Sequence, residues 1–516
     1  MSRVLIEGHN QILETDSLPG ESLLDVLRRM DSSISAPCGG NGTCGKCLVT
    51  LLEADGMRNK VLACRLPVLR DLHVILDEHS GGTICADGSA PLTTETRAGY
   101  GAAVDLGTTT VALRLYDLSD GREMATVSAW NRQAPYGADV LTRCQYCMEH
   151  PTGLNRLSTL MRVQIWNLLE QACRISSINT DLVKEIYLAG NTVMEHILFA
   201  LSPASIAVAP FTPATLFDRG EYMSLNGPPL FPAPCVAGYV GGDITAGLLS
   251  CSLHKKDGLS LFLDIGTNGE MALGGKEGIL CCAVASGPAF EGAGISCGMA
   301  STDGAVSHVS WENGAPKLTV IGSCEPKGIC GSGLLDLLAM LLTLSIVDES
   351  GYLQPPDELD DDFSPWLGED EDGNGIFYLT PNREIFFTAR DVRALQLAKA
   401  AVAAGISVLT EQAGISLAQV DTLYLAGGFG SHMDADSAIA MGMLPEVLRG
   451  KIVCVGNASL SGASMALLDT QKRLELLDIQ KSCRYLELSG NGRFNVLFPE
   501  HMTFDKEDSP WKSDSL

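Results

Sequence analysis

Apolar residues change rhythm several times along the chain, and the changes mark its parts. "RVLIE", "CLVTLLE" and "DLHVILDE" are short runs rich in Val, Ile and Leu, as strands are. Between the first two, "SLLDVLRRM" (22–30) spaces Leu23, Leu24, Val26 and Leu27 along one helix face. These runs predict a small β-rich unit over residues 1–80. The stretch that follows, "SGGTICADGSAPLTTETRAG", is small and polar and reads as a linker over 81–98. A second unit opens with "YGAAVDLGTTTVALRLYDL", an apolar strand, a Gly-Thr turn and another strand, followed by a helical stretch from 137 to about 175. The same opening returns at 259–275, "LSLFLDIGTNGEMALGG". This weak internal duplication predicts two related α/β lobes, over 99–200 and 201–470. Long helical segments at 331–347 and 391–414, then a strand running into the glycine turn of "DTLYLAGGFGS", complete the second lobe. Residues 471–516 form a C-terminal extension without a motif.

Composition narrows the classes. The chain has 516 residues, 46% of them hydrophobic and 19% charged, a globular balance. Its net charge of −26 opposes binding to nucleic acid or an anionic membrane. The most apolar run, 333–347, is too short for a membrane span and contains Asp336, so it reads as a buried helix. The first residues lack the apolar core of a signal peptide. Both features point to the cytoplasm. The 17 cysteines, an odd and scattered number, fit a reducing compartment, where most serve as small buried hydrophobes.

Some candidates for chemistry read as ordinary structure. Asp370, Asp372, Asn374 and Gly375 match the first spacings of a calcium loop, but Pro381 stands where the bidentate Glu belongs. The acidic segment 355–375 is therefore read as a solvated loop. Cys144 and Cys147 form a lone C-x2-C in a helical region, and Cys281 and Cys282 follow a strand; all four are read as packing residues.

Two features resist that reading. Cys38, Cys44, Cys47 and Cys64 have the spacing C-x5-C-x2-C-x16-C, with glycines at 39, 40, 42 and 45. A four-cysteine zinc site generally uses two C-x2-C knuckles, and only one is present. Three ligands from one loop and a fourth from a distant strand suit a [2Fe–2S] cluster; zinc and unligated thiols are the alternatives. The second feature is the pair "DLGTT" (105–109) and "DIGTN" (264–268), with "LAGGFG" (425–430) behind them. A strand ending in Asp-x-Gly-Thr can wrap its turn around a phosphate, and its Asp can hold hydrated Mg²⁺. The Gly427–Gly428 pair ends an apolar strand where the adenosine of ATP could approach the backbone. No Walker P-loop is present.

The first eighty residues resemble a β-grasp [2Fe–2S] ferredoxin domain, although the x16 gap is shorter than in plant-type ferredoxins. The order of two phosphate motifs and an adenosine motif resembles the actin-like ATPases of the acetate and sugar kinase, heat-shock chaperone and actin group. The combination resembles the reductive activators of corrinoid proteins. "AGNTVMEHILFAL", "GYVGGDITAG", "SGPAFEGAGISCGM", "GICGSGLLDLLA", "DVRALQLAKAAV" and "GNASLSGA" look like signatures of that family, and the likeness runs from residue 1 to about 466. The resemblance implies ATP-dependent, one-electron reduction of Co(II) to Co(I) in the corrinoid protein of a methyltransferase or O-demethylase system, fed by an upstream low-potential donor. Under it Cys38, Cys44, Cys47 and Cys64 hold the cluster. Asp264 and Asp105 are the catalytic carboxylates, Asp264 coordinating Mg²⁺ or positioning water and Asp105 standing with the opposite phosphate wall. Gly266, Thr267 and Asn268 bind phosphate, Thr108 and Thr109 form the opposite wall, Gly331 and Ser332 add helix-start amides, and Gly427 and Gly428 face adenosine. Glu291 in "SGPAFEG" lines the nucleotide or partner face, or simply a turn. A homodimer is compatible with this reading. The alternative is a nucleotide-binding iron–sulfur redox sensor without turnover.

Overall fold

The computed structural model describes residues 2–8, 11–30, 34, 36, 40, 42, 47–53, 57–76, 94–225, 227–359, 361–430 and 433–504. Near the N-terminus five strands form one mixed sheet in the order Gln11–Asp16, Arg3–Gly8, Leu72–Ile75, Leu48–Leu52, Arg58–Leu62. Arg3–Gly8 runs antiparallel to Gln11–Asp16 and parallel to Leu72–Ile75. Helix Leu23–Arg29 starts cleanly because Ser22 and Asp25 form a capping box. Its Leu23, Leu24, Val26 and Leu27 are buried with Val4, Ile6, Val49, Leu51 and Val74 in one core. A helix grasped by a mixed sheet is the β-grasp architecture.

The two Asp-x-Gly-Thr hairpins each sit at the centre of a six-stranded sheet. The first sheet has the order Met223–Ser224, Pro229–Pro232, Val183–Gly190, Tyr100–Leu106, Thr110–Asp117, Glu123–Trp130. The second has the order Ile452–Gly456, Val420–Ala426, Leu259–Ile265, Gly269–Gly275, Gly278–Val284, Cys483–Tyr485. In both, the central strand is parallel to one neighbour and antiparallel to its hairpin partner. Asp105 lies beside Ala112 and Ala189, and Asp264 beside Glu270 and Ala426, so the two aspartates occupy equivalent places. The repeat seen in the sequence is thus a repeat of topology, the two-lobed actin-like fold.

Helices Gly242–Ser250 and Ala458–Leu468 pack against each other between the sheets. A Cβ on Gly462 would stand 2.0 Å from the Ala246 carbonyl oxygen, so only glycine permits this backbone approach. The apolar run around residue 340 forms helix Gly331–Thr343, buried in the second lobe. Helix Ala389–Ala413 is long and apolar enough to cross a membrane, but most of its apolar stretch is buried in the same core. Thr388 and Asp391 cap its start and Gly414, with φ of 66°, ends it.

Three boundaries differ from the expectation. The first sheet continues past residue 200, because Pro229–Pro232 pairs in parallel with Val183–Gly190. The helical stretch after 137 is two helices, Val140–Glu149 and Gly153–Ile175, with Pro151 between them. The extension after 470 is integral: Cys483–Tyr485 joins the second sheet, and Gly492–Glu500 packs on Ala389–Ala413. The expected linker lies outside the described residues as far as 93. From there Glu95 accepts from Thr470 (2.8 Å), and the Arg97 amide donates to the Leu118 carbonyl (2.8 Å).

Candidate functional site

The two Asp-x-Gly-Thr turns face each other across the space between the lobes, and one carboxylate joins them. Thr109 Oγ1, from the first lobe, donates to Glu291 Oε2 at 3.1 Å; Thr267 Oγ1, from the second, donates to the same oxygen at 2.9 Å. Glu291 ends the short 3₁₀ turn Pro288–Glu291. The same block secures the second turn from behind. Ser286 Oγ donates to the Gly266 carbonyl (3.1 Å), and the Gly287 amide donates to the Thr267 carbonyl (3.1 Å). The Gly266 amide is used within the turn, donating to the Asn268 carbonyl (2.9 Å). The block "SGPAFEG", open between two readings in the sequence, thus lines the cleft between the hairpins.

Carboxylates crowd the floor of this cleft. Asp105 accepts from Asn457 Nδ2 (2.8 Å) and Ser459 Oγ (2.7 Å), both at the start of helix Ala458–Leu468. Burial raises the Asp105 pKa, against the effect of these two bonds. Burial, with Asp105 and Glu291 nearby, pushes Asp264 up to about 7. Burial, with Asp264 and Asp105, pushes Asp243 up to about 8. Glu270 is shifted upward by burial and by Asp243 and Asp264. Groups that hold each other's protons in this way are a site short of positive charge. Among the described residues no three acidic, His or Cys side chains converge as a ready metal cage.

The other expected residues fall as follows. Gly427 has φ of 86°, and a Cβ there would stand 2.5 Å from Asp264 Oδ1, so glycine is required where the strand Val420–Ala426 passes the aspartate. Gly428 follows in the short helix Gly427–Gly430. A Cβ on Gly331 would meet the Phe290 carbonyl at 1.9 Å, which places the start of its helix beside the Glu291 turn. The Ser332 hydroxyl is committed to the Ser307 carbonyl (2.9 Å). The roles of Asn457 and Ser459 under Asp105, and of Asp243 in the cluster, escaped the sequence reading. Their blocks, "GNASLSGA" and "GYVGGDITAG", were visible, but only the fold shows which carboxylate they meet.

Of the four cluster cysteines, Cys38 and Cys44 lie outside the described residues. Cys47 Sγ and Cys64 Sγ are 3.2 Å apart. That is too far for a disulfide, about 2.05 Å. It approaches the edge of a tetrahedral thiolate site, roughly 3.8 Å for metal–sulfur bonds of about 2.3 Å. Arg65 Nη2 donates to the Gly42 carbonyl (2.8 Å), and Gly40 and Gly42 have φ of 103° and 75°, so the described part of the loop uses backbone open to glycine. The two described thiols therefore fit one edge of an iron–sulfur group. By contrast, burial pushes Cys144 up to about 12 and Cys147 up to about 11, which keeps both as protonated packing thiols. Asp370 accepts from the amides of Asp372 (3.0 Å) and Asn374 (2.8 Å), an exposed turn between strands Leu367–Glu369 and Gly375–Tyr378.

Fold and site together define a class: a ferredoxin-like iron–sulfur module joined to a two-lobed, actin-like ATPase. Comparison with known proteins specifies it further. Residues 7–69 match the 2Fe-2S iron-sulfur cluster binding domain, 100–256 the RACo middle region, and 258–514 the C-terminal domain of RACo, the ASKHA domain. The chain is 33% identical over 409 residues to the corrinoid activation enzyme RamQ of Eubacterium limosum, covering 77% of this chain and 68% of that one. It is 24% identical over 449 residues to the [Co(II) methylated amine-specific corrinoid protein] reductase of Methanosarcina barkeri, covering 80% and 78%. A solved structure of a reductive activator for corrinoid, iron-sulfur protein superposes with a TM-score of 0.71 at 29% identity, covering 99% of this chain and all of the other. The chain belongs to the family of reductive activators of corrinoid proteins.

Proposed function

We propose that this protein returns the cobalt of a corrinoid protein from Co(II) to Co(I) by donating one electron, in a methyltransferase or O-demethylase system, with ATP acting in the cleft between the lobes. One observation carries the reading: Thr109 and Thr267, from opposite lobes, converge on the Glu291 carboxylate in a chain that also holds Cys47 and Cys64 face to face. A carboxylate held by hydroxyls from both sides marks where a phosphate oxygen can be held.

On this reading Cys38, Cys44, Cys47 and Cys64 hold a [2Fe–2S] cluster, which when bound supplies the single electron. Thr108, Thr109, Gly266, Thr267 and Asn268 hold the phosphates, and the two threonine hydroxyls exchange Glu291 for phosphate oxygens. Gly331 and Ser332 open a helix beside the Glu291 turn and add amides there. Asp264 and Asp105 orient a hydrated Mg²⁺ and the attacking water, with Asn457 and Ser459 fixing the Asp105 carboxylate. Gly427 and Gly428 leave backbone room for adenosine.

The need for ATP follows from potentials. Plant-type [2Fe–2S] centres lie near about −400 mV, and reducing Co(II) in a corrinoid is harder. Each ~59 mV of deficit costs a factor of ten for one electron. Nucleotide can offset it only by binding two conformations differently. The reading also takes in an upstream low-potential donor and a cytoplasmic setting.

The test is chemical analysis of the purified chain followed by ATP turnover. About two iron and two sulfide per chain, a one-electron EPR signal, and ATP hydrolysis stimulated by a Co(II) corrinoid protein are expected. Colourless protein with one zinc would remove the electron-transfer half. ATP binding without turnover, with or without the corrinoid protein, would leave a sensor instead.

A further inference from the structure

The first phosphate turn is held from behind by a segment that the proposed chemistry does not use. Asn131 Nδ2 donates to the Gly107 carbonyl (2.8 Å), the Asn131 amide donates to the Thr109 carbonyl (2.9 Å), and Arg143 Nη2 donates to the Thr108 carbonyl (2.6 Å). The carbonyls of Gly107, Thr108 and Thr109 are therefore all occupied. Arg143 is fully buried and also donates to the Gly137 carbonyl (3.0 Å) and to Gln133 Oε1 (3.3 Å). Gln133, itself fully buried, donates to the Leu157 carbonyl (2.9 Å), and its amide donates to Asn131 Oδ1 (2.9 Å). Among the described residues the hydrogen-bond partners of Arg143 include no carboxylate; Asp139 and Glu291 act on it at longer range. A buried cation and two buried amides, all hydrogen-bonded, make a network that resists partial rearrangement.

The other face of this segment meets the ferredoxin-like domain. Arg28 Nε donates to the Pro135 carbonyl (2.9 Å), and its guanidinium lies over the Tyr136 ring, 5.1 Å from the centroid. Arg156 Nη2 donates to the Arg28 carbonyl (3.1 Å). Arg28 sits on helix Leu23–Arg29 beside Gly40: a Cβ on Gly40 would be 3.1 Å from Leu24 and 3.6 Å from the Arg28 guanidinium. The phosphate turn and the Leu23–Arg29 helix of the ferredoxin-like domain are thus joined through Asn131, Gln133, Arg143, Pro135, Tyr136 and Arg28.

We infer that Asn131 and Arg143 are positioning residues which make the docking of the ferredoxin-like domain, through Arg28, respond to the phosphates of ATP. This rests on the proposed nucleotide site and adds the route by which that site acts on the cluster domain. Phosphate binding in front of the turn moves residues 107–109, the rigid network carries the shift to 133–137, and the Arg28 contact changes strength. A packed network with two arrangements is what such coupling requires.

The test is hydrogen–deuterium exchange on the full, cluster-loaded chain, with and without a non-hydrolysable ATP analogue and Mg²⁺. In the wild type, exchange should change at least about fivefold both at 107–110 and at 23–30, the lower end of ordinary allosteric coupling. In Arg28→Ala the response at 107–110 should persist and that at 23–30 should vanish. In Arg143→Lys, which keeps the charge but not the fork, the response at 23–30 should shrink while the analogue still binds. A response at 107–110 with none at 23–30 in the wild type overturns the inference and leaves the nucleotide site standing. So does an undiminished response at 23–30 in Arg28→Ala. No response anywhere overturns the nucleotide site itself, and the inference with it.

Discussion

Replacing Glu291 by Gln tests the cleft most finely, because it keeps the shape and removes the charge. In the ligand-free protein Thr109 and Thr267 both donate to Glu291 Oε2, at 3.1 and 2.9 Å. For the threonines to serve ATP, both bonds must break. A hydrogen bond to a charged acceptor is worth about 1.5–3 kcal/mol and a neutral one about 0.5–1.5 kcal/mol. At mid-range the substitution therefore lowers the cost of releasing the two hydroxyls by about 2.5 kcal/mol. Burial raises the Glu291 pKa, so its charge is less favoured in the cleft than in water and removing it changes less. About 1 kcal/mol remains, or roughly fivefold tighter binding of a non-hydrolysable ATP analogue. Removing a charge that helps push Asp264 up should also lower the Asp264 pKa. Isothermal titration at pH 7.5 with excess Mg²⁺ measures the affinity directly. Equal or weaker binding by Glu291→Gln would refute the idea that the carboxylate competes with phosphate for the two hydroxyls.

Three further outcomes follow from the same geometry. Asp105→Asn keeps an acceptor for Asn457 or Ser459 but removes the charge; ATP turnover should fall about ten- to hundredfold with the circular dichroism spectrum unchanged, and turnover within threefold of wild type would count against a role in holding Mg²⁺. Asp264 and Asp243 have folded pKa values raised from 3.8 to about 7 and about 8, so their contribution to stability is complete below about pH 4 and is lost as pH rises through 7 to 8. The unfolding free energy of the nucleotide-free protein should therefore fall between pH 6 and 8.5, by up to about 1.4 kcal/mol per pH unit for each group until its folded pKa is passed, and the melting temperature with it; Mg²⁺ with nucleotide should flatten the trend, and a melting temperature that rises over that range would contradict the crowding of carboxylates. Gly462→Val forces a side chain into a 2.0 Å gap to Ala246, and calorimetry should show a loss of about 1–3 kcal/mol together with weaker ATP binding, since both helices at that contact carry site residues; an unchanged melting temperature would refute the close packing.

Local chemistry was legible in the sequence wherever a residue's neighbours in the chain are also its neighbours in space. The turns at Asp105 and Asp264 are such places: the strand, glycine and threonine that shape each turn are adjacent to its aspartate, and the structure brings Thr109 and Thr267 together across the cleft. The β-grasp unit was legible for a similar reason, since Leu23, Leu24, Val26 and Leu27 of its helix lie on one face. What escaped were partners that arrive from far along the chain. Asn457 and Ser459 reach Asp105 across more than 350 positions, and their spacing at a helix start looks like ordinary capping. Arg143 sits on an amphipathic helix, where an arginine is expected on the wet face; nothing local says that its guanidinium turns inward to the Thr108 carbonyl. The boundary expected near residue 200 moved because a strand's place in a sheet is fixed by pairing, and Pro229–Pro232 pairs backwards with a strand some forty residues earlier.

The central claim is that ATP in the cleft drives the electron to cobalt from the cluster held by the same chain. The most direct measurement is the absorption spectrum of a Co(II) corrinoid protein mixed anaerobically with this protein and a low-potential reductant. It should be recorded with ATP, with a non-hydrolysable analogue, and without nucleotide. Conversion to Co(I) is expected with ATP, to be much slower without nucleotide, and to be lost in Cys64→Ser. Conversion at the same rate without nucleotide, or undiminished in Cys64→Ser, would contradict the account.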